Sequence, residues 1–161
     1  MRTSGIVIKK IDIGEYDQFL VLYTEDFGKG KAISVIGCKI KAKLTGHLEP
    51  FNFVWVELIS KKGGELIITT ALSHCGLASN AAPDQIALFT KMANFAVVML
   101  KESQKDEELW NFILESFLKA REVAGSADKF LNNFKSGFIK IMGFGDNFEE
   151  ARYYLSDFNV L

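Results

Sequence analysis

The stretch GCKIKAKLTGHLEPF, residues 37–51, is a basic, glycine-bounded segment between two strongly β-forming runs. Lys39, Lys41 and Lys43 occupy alternate positions, so in extended backbone their side chains project to the same side. No acidic residue separates Asp26 from this cluster, so the charge is not neutralised by neighbours in the sequence. The pattern predicts an anion-binding loop of a small β-barrel, with nucleic acid as the expected polyanion.

The residues on both sides of this segment predict five short antiparallel strands. Each run is rich in β-branched and aromatic residues and ends at a turn that contains glycine. Such a set, with a long connection after the third strand, closes as a small barrel or opens as a meander. Strand count alone does not separate an OB-type barrel from an SH3-like one. The predicted strands are Ser4–Ile13, Gln18–Thr24, Lys31–Ile36, Phe51–Ser60 and Glu65–Leu72.

The second half of the chain predicts a helical bundle. Its first helix is apolar nearly all round as far as Leu100, which places it in the middle of the bundle. The second is amphipathic, has an acidic first turn and ends by Gly125, and Ser126 can cap the third. The helices are predicted to begin at Pro83-Asp84, at Asp106 and after Ser126, with a short last helix over about 148–158.

Composition limits the class of protein and the kind of partner. A chain of 161 residues that is 48% hydrophobic and has two prolines is globular and not disordered. The net charge is −1; residues 1–80 carry ten Lys/Arg and eight Asp/Glu, and residues 81–161 carry nine and twelve. Any contact with nucleic acid must therefore come from a local patch. Two cysteines, no signal peptide and no long apolar run predict a cytoplasmic protein without a membrane segment.

The residue patterns of common catalytic and metal sites are missing from this sequence. Cys38, His47, His74 and Cys75 lack zinc-site spacing, because the chain has no C-x₂-C pair. Neither histidine has a recognisable Ser–His–Asp partner motif. The Gly-x-Gly turn after the second strand lacks the strand-to-helix context of a phosphate loop. We therefore expect a protein that is not an enzyme and uses no metal or other cofactor.

Several segments together carry a resemblance to a known family. They are GIVI (5–8), GEYD (14–17), LYTEDFGK (22–29) and FKSGFIKIMGFGDNF (134–148). The most specific is the basic cluster that leads into LTGHLEPF (44–51), with the pattern Leu-x-Gly-x-Leu-x-Pro-Phe. Through these segments the chain resembles the bacterial RecO mediators of DNA repair and recombination.

The resemblance implies an α+β fold, with an N-terminal five-stranded OB-fold β-barrel over residues 1–80 and a C-terminal α-helical bundle over residues 81–161. It also implies binding of single- and double-stranded DNA, annealing of complementary strands, and assistance in loading recombinase. RecR and single-stranded-DNA-binding protein are the implied partners. RecO proteins usually continue into a four-cysteine zinc-binding module, whereas this chain has Cys38 and Cys75 alone. We therefore expect a shortened or diverged member that lacks this module.

Basic and aromatic side chains near the loop are the candidate DNA contacts. Phosphate contacts by lysine and arginine would be independent of sequence and sensitive to salt. In the resembled family the helical region also offers a groove for the acidic tail of single-stranded-DNA-binding protein, with Lys135, Lys140 and Arg152 as candidate basic partners. The DNA-binding candidates are Lys39, Lys41 and Lys43 in the loop, Lys29 and Lys31 after the neighbouring turn, Arg2, Lys9 and Lys10 on the first strand, and Phe27 as a base-stacking residue.

Two alternatives stay open at this point. The face of the fourth strand that carries Phe51, Phe53 and Trp55 is expected to be covered by the helices; otherwise it would be an exposed platform for stacking bases. The chain could also be an adaptor that binds RecR or single-stranded-DNA-binding protein and has little DNA binding of its own. The acidic second half favours this second function.

Overall fold

The computed structural model describes residues 1–13, 17–35, 44 and 46–145. The predicted last helix, residues 148–158, lies outside these ranges. Within them the chain forms two compact units, of which the first comprises Met1–Ser79 together with Lys101–Lys105 and the second the remaining residues. The described strands and helices are β1 (Arg2–Ile13), β2 (Asp17–Thr24), β3 (Gly28–Val35), β4 (Asn52–Ser60), β5 (Leu66–Gly76), α1 (Pro83–Met99), α2 (Glu107–Ala120) and α3 (Ala127–Ile141).

The strands of the first unit close into a barrel with the order β1-β2-β3-β5-β4. Neighbouring strands are antiparallel except β3 and β5, which pair in parallel at Ala32–Leu66 and Ile33–Ile67. The prediction that all strands are antiparallel is wrong at this contact, because an odd number of strands cannot alternate in direction all the way round a closed barrel. The barrel is an OB-fold, and the α+β fold implied by the resemblance is confirmed.

Four strands extend beyond their predicted bounds: β1 begins at Arg2 and β2 at Asp17, and the longer extensions are those of β3 and β5. β3 begins at Gly28, because the Oγ1 of Thr24 accepts a hydrogen bond from the N–H of Phe27 (3.2 Å) and donates one to the carbonyl of Gly28 (2.9 Å). This tight turn lets Thr24, the last residue of β2, pair with Gly28, the first residue of β3. β5 continues to Gly76, which pairs with Asn52 at the start of β4.

Alternation along the strands separates the barrel interior from its outer surface. In β4, Val54 and Val56 are fully buried, whereas Phe53 and Trp55 on the opposite side are half-buried. Whether the helices cover this outer side of β4 stays a prediction. The buried side chains of the barrel core are Val7, Leu20, Leu22, Ala32, Leu44, Leu48, Val54, Val56, Leu58, Ile68 and Ala71.

The helical unit is held together by phenylalanine side chains. Phe134 of α3 stacks on Phe112 of α2 with ring centroids 5.7 Å apart and also contacts Phe95 of α1 edge-on. At the start of α2 the Asp106 side chain accepts a hydrogen bond from the N–H of Leu109 (2.9 Å). Ser126 occupies the N-cap position of α3 but makes no side-chain capping bond. None of the helices in the described ranges has the length and apolar character that crossing a bilayer requires.

Candidate nucleic-acid interface

The three lysines that open the predicted loop, Lys39, Lys41 and Lys43, lie outside the described residues. Their role as phosphate contacts stays a prediction. The described part of the segment is Leu44 together with residues 46–51, which we call the barrel plug. The plug determines where the C-terminal end of the basic loop is attached.

The barrel plug closes one end of the barrel with leucine side chains. Leu44 is 4% exposed and Leu48 is 0% exposed, and both belong to the barrel core. The backbone turns between them, because the carbonyl of Leu44 accepts hydrogen bonds from the N–H groups of His47 (3.0 Å) and Leu48 (3.2 Å). The leucines of the family-like motif are therefore packing residues.

Polar side chains of β4 and β5 fasten the plug to the sheet. The Nδ2 of Asn52 donates to the carbonyls of Gly46 (3.2 Å) and His47 (3.0 Å). The Nδ1 of His47 accepts a hydrogen bond from the N–H of Ser73 (3.1 Å) and lies 2.9 Å from its Oγ. Asn52 is almost completely buried, so the two bonds from its Nδ2 satisfy a side-chain amide that has little access to water.

Phe51 ends the plug in an unusual backbone conformation. Its φ is 67°, in the left-handed region that non-glycine residues seldom adopt. Its N–H donates to the carbonyl of Val7 (2.7 Å) and its carbonyl accepts from the N–H of Leu77 (3.1 Å). These two bonds hold the conformation in place. The described part of the motif is thus explained by its packing and hydrogen bonds in the barrel, and a contact with nucleic acid is not needed to explain it.

Arg2, at the start of β1, is paired with an acidic residue. Its Nε donates to the Oε1 of Glu57 (3.0 Å), and its guanidinium carbon lies 6.0 Å from the centre of the Trp55 ring. The hydrogen bond from Arg2, followed by its charge, holds the pKa of Glu57 below its ordinary value. Because the Arg2 side chain is 70% exposed and carries five N–H donors, it can bind a phosphate beside this carboxylate, which offsets part of the positive charge.

Lys9 and Lys10 diverge because β1 contains a bulge. The register with β2 shifts between Val7 and Lys9, so Lys10 comes to face Leu20, a residue of the barrel interior. The Lys10 side chain is 14% exposed, and its Nζ lies 2.8 Å from the Oε1 of Glu49 in the plug. Lys9 is exposed, and among the described residues no carboxylate lies within 4.0 Å of it. Lys9 is thus the more accessible of the two.

On β3, the predicted contacts Lys29 and Lys31 meet a segment from the second half of the chain. Lys101–Lys105, which we call the strap, belongs to the same compact unit as the barrel. The Nζ of Lys31 lies 2.5 Å from the Oε1 of Glu102, and the carbonyl of Lys29 accepts from the N–H of Ser103 (2.9 Å). The Lys31 hydrogen bond and charge, with a smaller contribution from Lys29, lower the pKa of Glu102. Burial lowers the pKa of Lys29.

Phe27, the predicted stacking residue, is 39% exposed at the turn between β2 and β3. It lines a cavity of about 340 Å³ whose walls include Leu22, Leu58 and Leu66. Beside it the Nζ of Lys105 lies 3.7 Å from the Oδ1 of Asp26. One side of the Phe27 ring is thus accessible.

Two outward-facing residues of β2, Val21 and Tyr23, are buried and offer bases no stacking surface. OB-folds bind oligonucleotides on the face formed by strands 2 and 3. Here Val21 is 6% exposed and Tyr23 is 1% exposed, although both point away from the barrel interior. Lys31, paired across the strands with Val21, is exposed on the same face. Phe19, on the same side of β2, is half-buried, so the described part of this face presents the charge of Lys31 and one partly accessible aromatic ring.

The candidate partner-binding residues are only partly described. Lys135 is half-buried, with its Nζ 5.6 Å from the Phe95 ring centre, and Lys140 is exposed. Arg152 lies outside the described residues. A cavity of about 460 Å³ in the helical unit is lined by Gln85, Leu88, Val123 and Lys129 among others, and not by Lys135 or Lys140. Lys129 was not singled out from the sequence, because nothing in its neighbours marks it.

Two further observations on the described residues concern metal binding and an aromatic contact on the β4–β5 pair. No group of three or more His, Cys, Asp or Glu side chains within the described ranges could hold a metal ion. On the outer side of the β4–β5 pair, the rings of Phe53 and His74 contact each other with centroids 4.7 Å apart and their planes tilted by 33°.

Known proteins to which this chain is similar include RecO proteins. Residues 1–73 match the family model described as Recombination protein O N terminal. The DNA repair protein RecO of Anaeromyxobacter dehalogenans strain 2CP-C is 25% identical over 145 residues, which cover 89% of this chain and 57% of that protein. The DNA repair protein RecO of Clostridium novyi strain NT is 24% identical over 150 residues, with coverage of 93% and 59%. The chain thus spans less than three fifths of the length of these relatives.

Proposed function

Because the chain belongs to the RecO family, we propose that it is a mediator of DNA repair and recombination that binds DNA and catalyses no reaction. It binds single- and double-stranded DNA without sequence preference, promotes annealing of complementary strands and assists recombinase loading. The observation that carries this function is the closed OB barrel formed by the residues that match the family.

The chemistry of the barrel surface supports contact with the DNA backbone. Lys9 and Lys31 are exposed, and the loop lysines Lys39, Lys41 and Lys43 follow β3 in the chain. Contacts to phosphates position a strand without reading its bases. A protein that anneals strands has to leave the pairing edges of the bases free, and lysine–phosphate contacts do so. The burial of Val21 and Tyr23 removes competing stacking surfaces.

Partners belong to the same proposal. A RecR-like protein and the C-terminal tail of single-stranded-DNA-binding protein would bring the chain to coated single strands. The acidic tail needs an apolar groove beside a basic residue. Lys135, Lys140 and Arg152 remain the candidates for that role, and the bacterial cytoplasm, at the nucleoid, is the expected location.

A salt series with a labelled single strand tests DNA binding. We expect the anisotropy of a fluorescein-labelled oligothymidylate to report binding whose log K falls linearly with log salt concentration, with a slope of about −0.7 per phosphate contact. The Lys39/Lys41/Lys43→Ala variant should bind more weakly and lose about 2 from the slope. Lys91/Lys119/Lys129→Ala, which removes the same charge from the helical unit, is the matched control. Unchanged affinity and slope in the loop variant would refute the role of the loop.

An adaptor function is the second candidate. It is favoured by the carboxylates that pair with the basic candidates, as Glu57 does with Arg2, Glu49 with Lys10 and Glu102 with Lys31. In a pull-down, an adaptor would retain a RecR-like protein or single-stranded-DNA-binding protein while the oligothymidylate shows no binding at any salt concentration. Binding of the naked oligonucleotide would exclude this alternative.

A further inference from the structure

The strap fills an edge of the barrel that the strands leave open. In the described residues β3 pairs with β5 only at Ala32 and Ile33, so Gly28–Lys31 has no strand neighbour on that side. The strap lies there, with a parallel bridge between Lys29 and Glu102 and the hydrogen bond from the N–H of Ser103 to Lys29. An unpaired strand edge is a binding surface for other chains. Here the protein covers it with its own backbone.

The strap approaches β3 closely at one residue. Gly28 has a φ of +69°, and a Cβ at this position would collide with the backbone carbonyl of Gln104. Glycine is therefore required both for the turn and for the contact. Because the backbone on either side of Glu102 is attached to β3, the carboxylate is presented to Lys31 by a built structure.

We propose that Glu102 is an internal competitor for nucleic-acid phosphate, which occupies the phosphate site at Lys31 in the free chain and is displaced when a phosphodiester binds there. The inference rests on the proposed DNA binding and specifies its regulation. A carboxylate and a phosphate oxygen accept the same charge-assisted hydrogen bond from an ammonium group. The lowered pKa of Glu102 means that this competitor is fully charged at neutral pH.

The exposure of the pair permits displacement. The side chains of Lys31 and Glu102 are 54% and 56% exposed, and exposed ion pairs are weak. An isolated anion gains little by replacing a carboxylate that is already in place. A strand held at neighbouring phosphates presents the next one at high effective concentration and can replace it. Glu102 would thus restrict Lys31 to extended polyanions.

Glu102→Gln in the full chain tests the competition. Without the carboxylate, oligothymidylate should bind about three- to fivefold more tightly at low salt, the gain available from one exposed pair. The salt slope should stay close to the native one, because Lys31 contacts the same phosphate and the strand releases the same counterions in both chains. Glu115→Gln is the matched control: it removes one negative charge from an exposed pair in α2, where Glu115 lies 3.3 Å from Lys119.

A double-mutant cycle assigns the effect to Lys31. In the Lys31→Ala background, Glu102→Gln should give no gain beyond that of Glu115→Gln. Equal gains from Glu102→Gln and Glu115→Gln in the otherwise native chain would overturn the proposal, and so would a Glu102→Gln gain that persists without Lys31. If neither the native chain nor Glu102→Gln binds the oligonucleotide, DNA binding itself fails. If the native chain binds and Glu102→Gln changes nothing, only the competition fails.

Discussion

The barrel plug and the strap both attach a connecting segment to the barrel, and they do so by opposite means. The plug buries Leu44 and Leu48 in the core, and two of its carbonyls accept hydrogen bonds from Asn52. The strap lies on the surface and presents the exposed charge of Glu102 to Lys31. The two leucines of the motif that carries the resemblance are therefore packing residues. Lys31, a candidate DNA contact, is exposed and paired with a charge from elsewhere in the chain.

The plug and the strap also differ in the free energy that their contacts contribute. Removing a buried leucine side chain costs about 2–5 kcal/mol, because it loses transfer free energy and leaves a cavity. An exposed ion pair contributes about 0–1 kcal/mol. Changes in the plug should accordingly act on the free energy of unfolding, and changes in the strap's charges on ligand binding. The substitutions below test this division, beginning with the largest effect.

Leu48→Ala should cause the greatest loss. Leu48 is 0% exposed in the barrel core, so we expect the free energy of unfolding to fall by about 2–5 kcal/mol in urea denaturation. Leu72→Ala is the control, since this leucine on β5 is 54% exposed and should change the value by less than about 0.5 kcal/mol. Similar losses in the two variants would show that the plug does not seal the core.

Gly28→Ala should rank second and tests the strap's backbone contact. The left-handed φ disfavours alanine by about 1–2 kcal/mol, and the collision with Gln104 adds about 1–2 kcal/mol. Gly64→Ala is the control for the first contribution, because Gly64 also has a positive φ (+85°) but faces open space. The difference between the two variants in urea denaturation measures the close approach. A Gly28→Ala loss no greater than that of Gly64→Ala would contradict it.

Local patterns were enough to predict the five strands, and the resemblance to a family supplied the OB-type barrel. Neither predicted which side chains meet on the barrel surface. Alternation in β4, from Val54 to Leu58, is visible in the sequence and survives in the structure. The inward position of Lys10 follows from a bulge, which one shifted residue creates and no neighbouring residue type announces. The meeting of Lys31 with Glu102 joins positions far apart in the chain. The lack of acidic residues close to Lys31 in the sequence therefore led to an overestimate of the positive charge that β3 presents without a carboxylate partner.

Asn52→Ala should have an intermediate effect on the plug. It removes the donors to the carbonyls of Gly46 and His47, and leaving such groups without a partner costs about 1–3 kcal/mol. Thermal unfolding monitored by circular dichroism measures the loss. Asn132→Ala, on an exposed position of α3, is the control and should leave the midpoint within a few degrees of the native value. If the midpoint of Asn52→Ala were as close to the native value as that of Asn132→Ala, water would be replacing the Asn52 amide as the donor to these carbonyls.

Glu57→Gln should have the smallest effect, and its pH dependence shows that the outer surface is held by charge. Arg2 lowers the pKa of Glu57 below its ordinary value of 4.5 in the folded chain. The ionised carboxylate therefore stabilises the fold above that value, and the contribution is lost as the pH falls through the folded-state pKa. The melting temperatures of native chain and Glu57→Gln should differ most near neutral pH and converge in acid. In an Arg2→Ala background the difference should shrink at neutral pH as well. If the difference in melting temperature stayed constant from neutral pH into acid, Glu57 would act through its shape and not its charge. The outer surface of β4 would then not be an example of stabilisation by charge, in contrast to the packed plug.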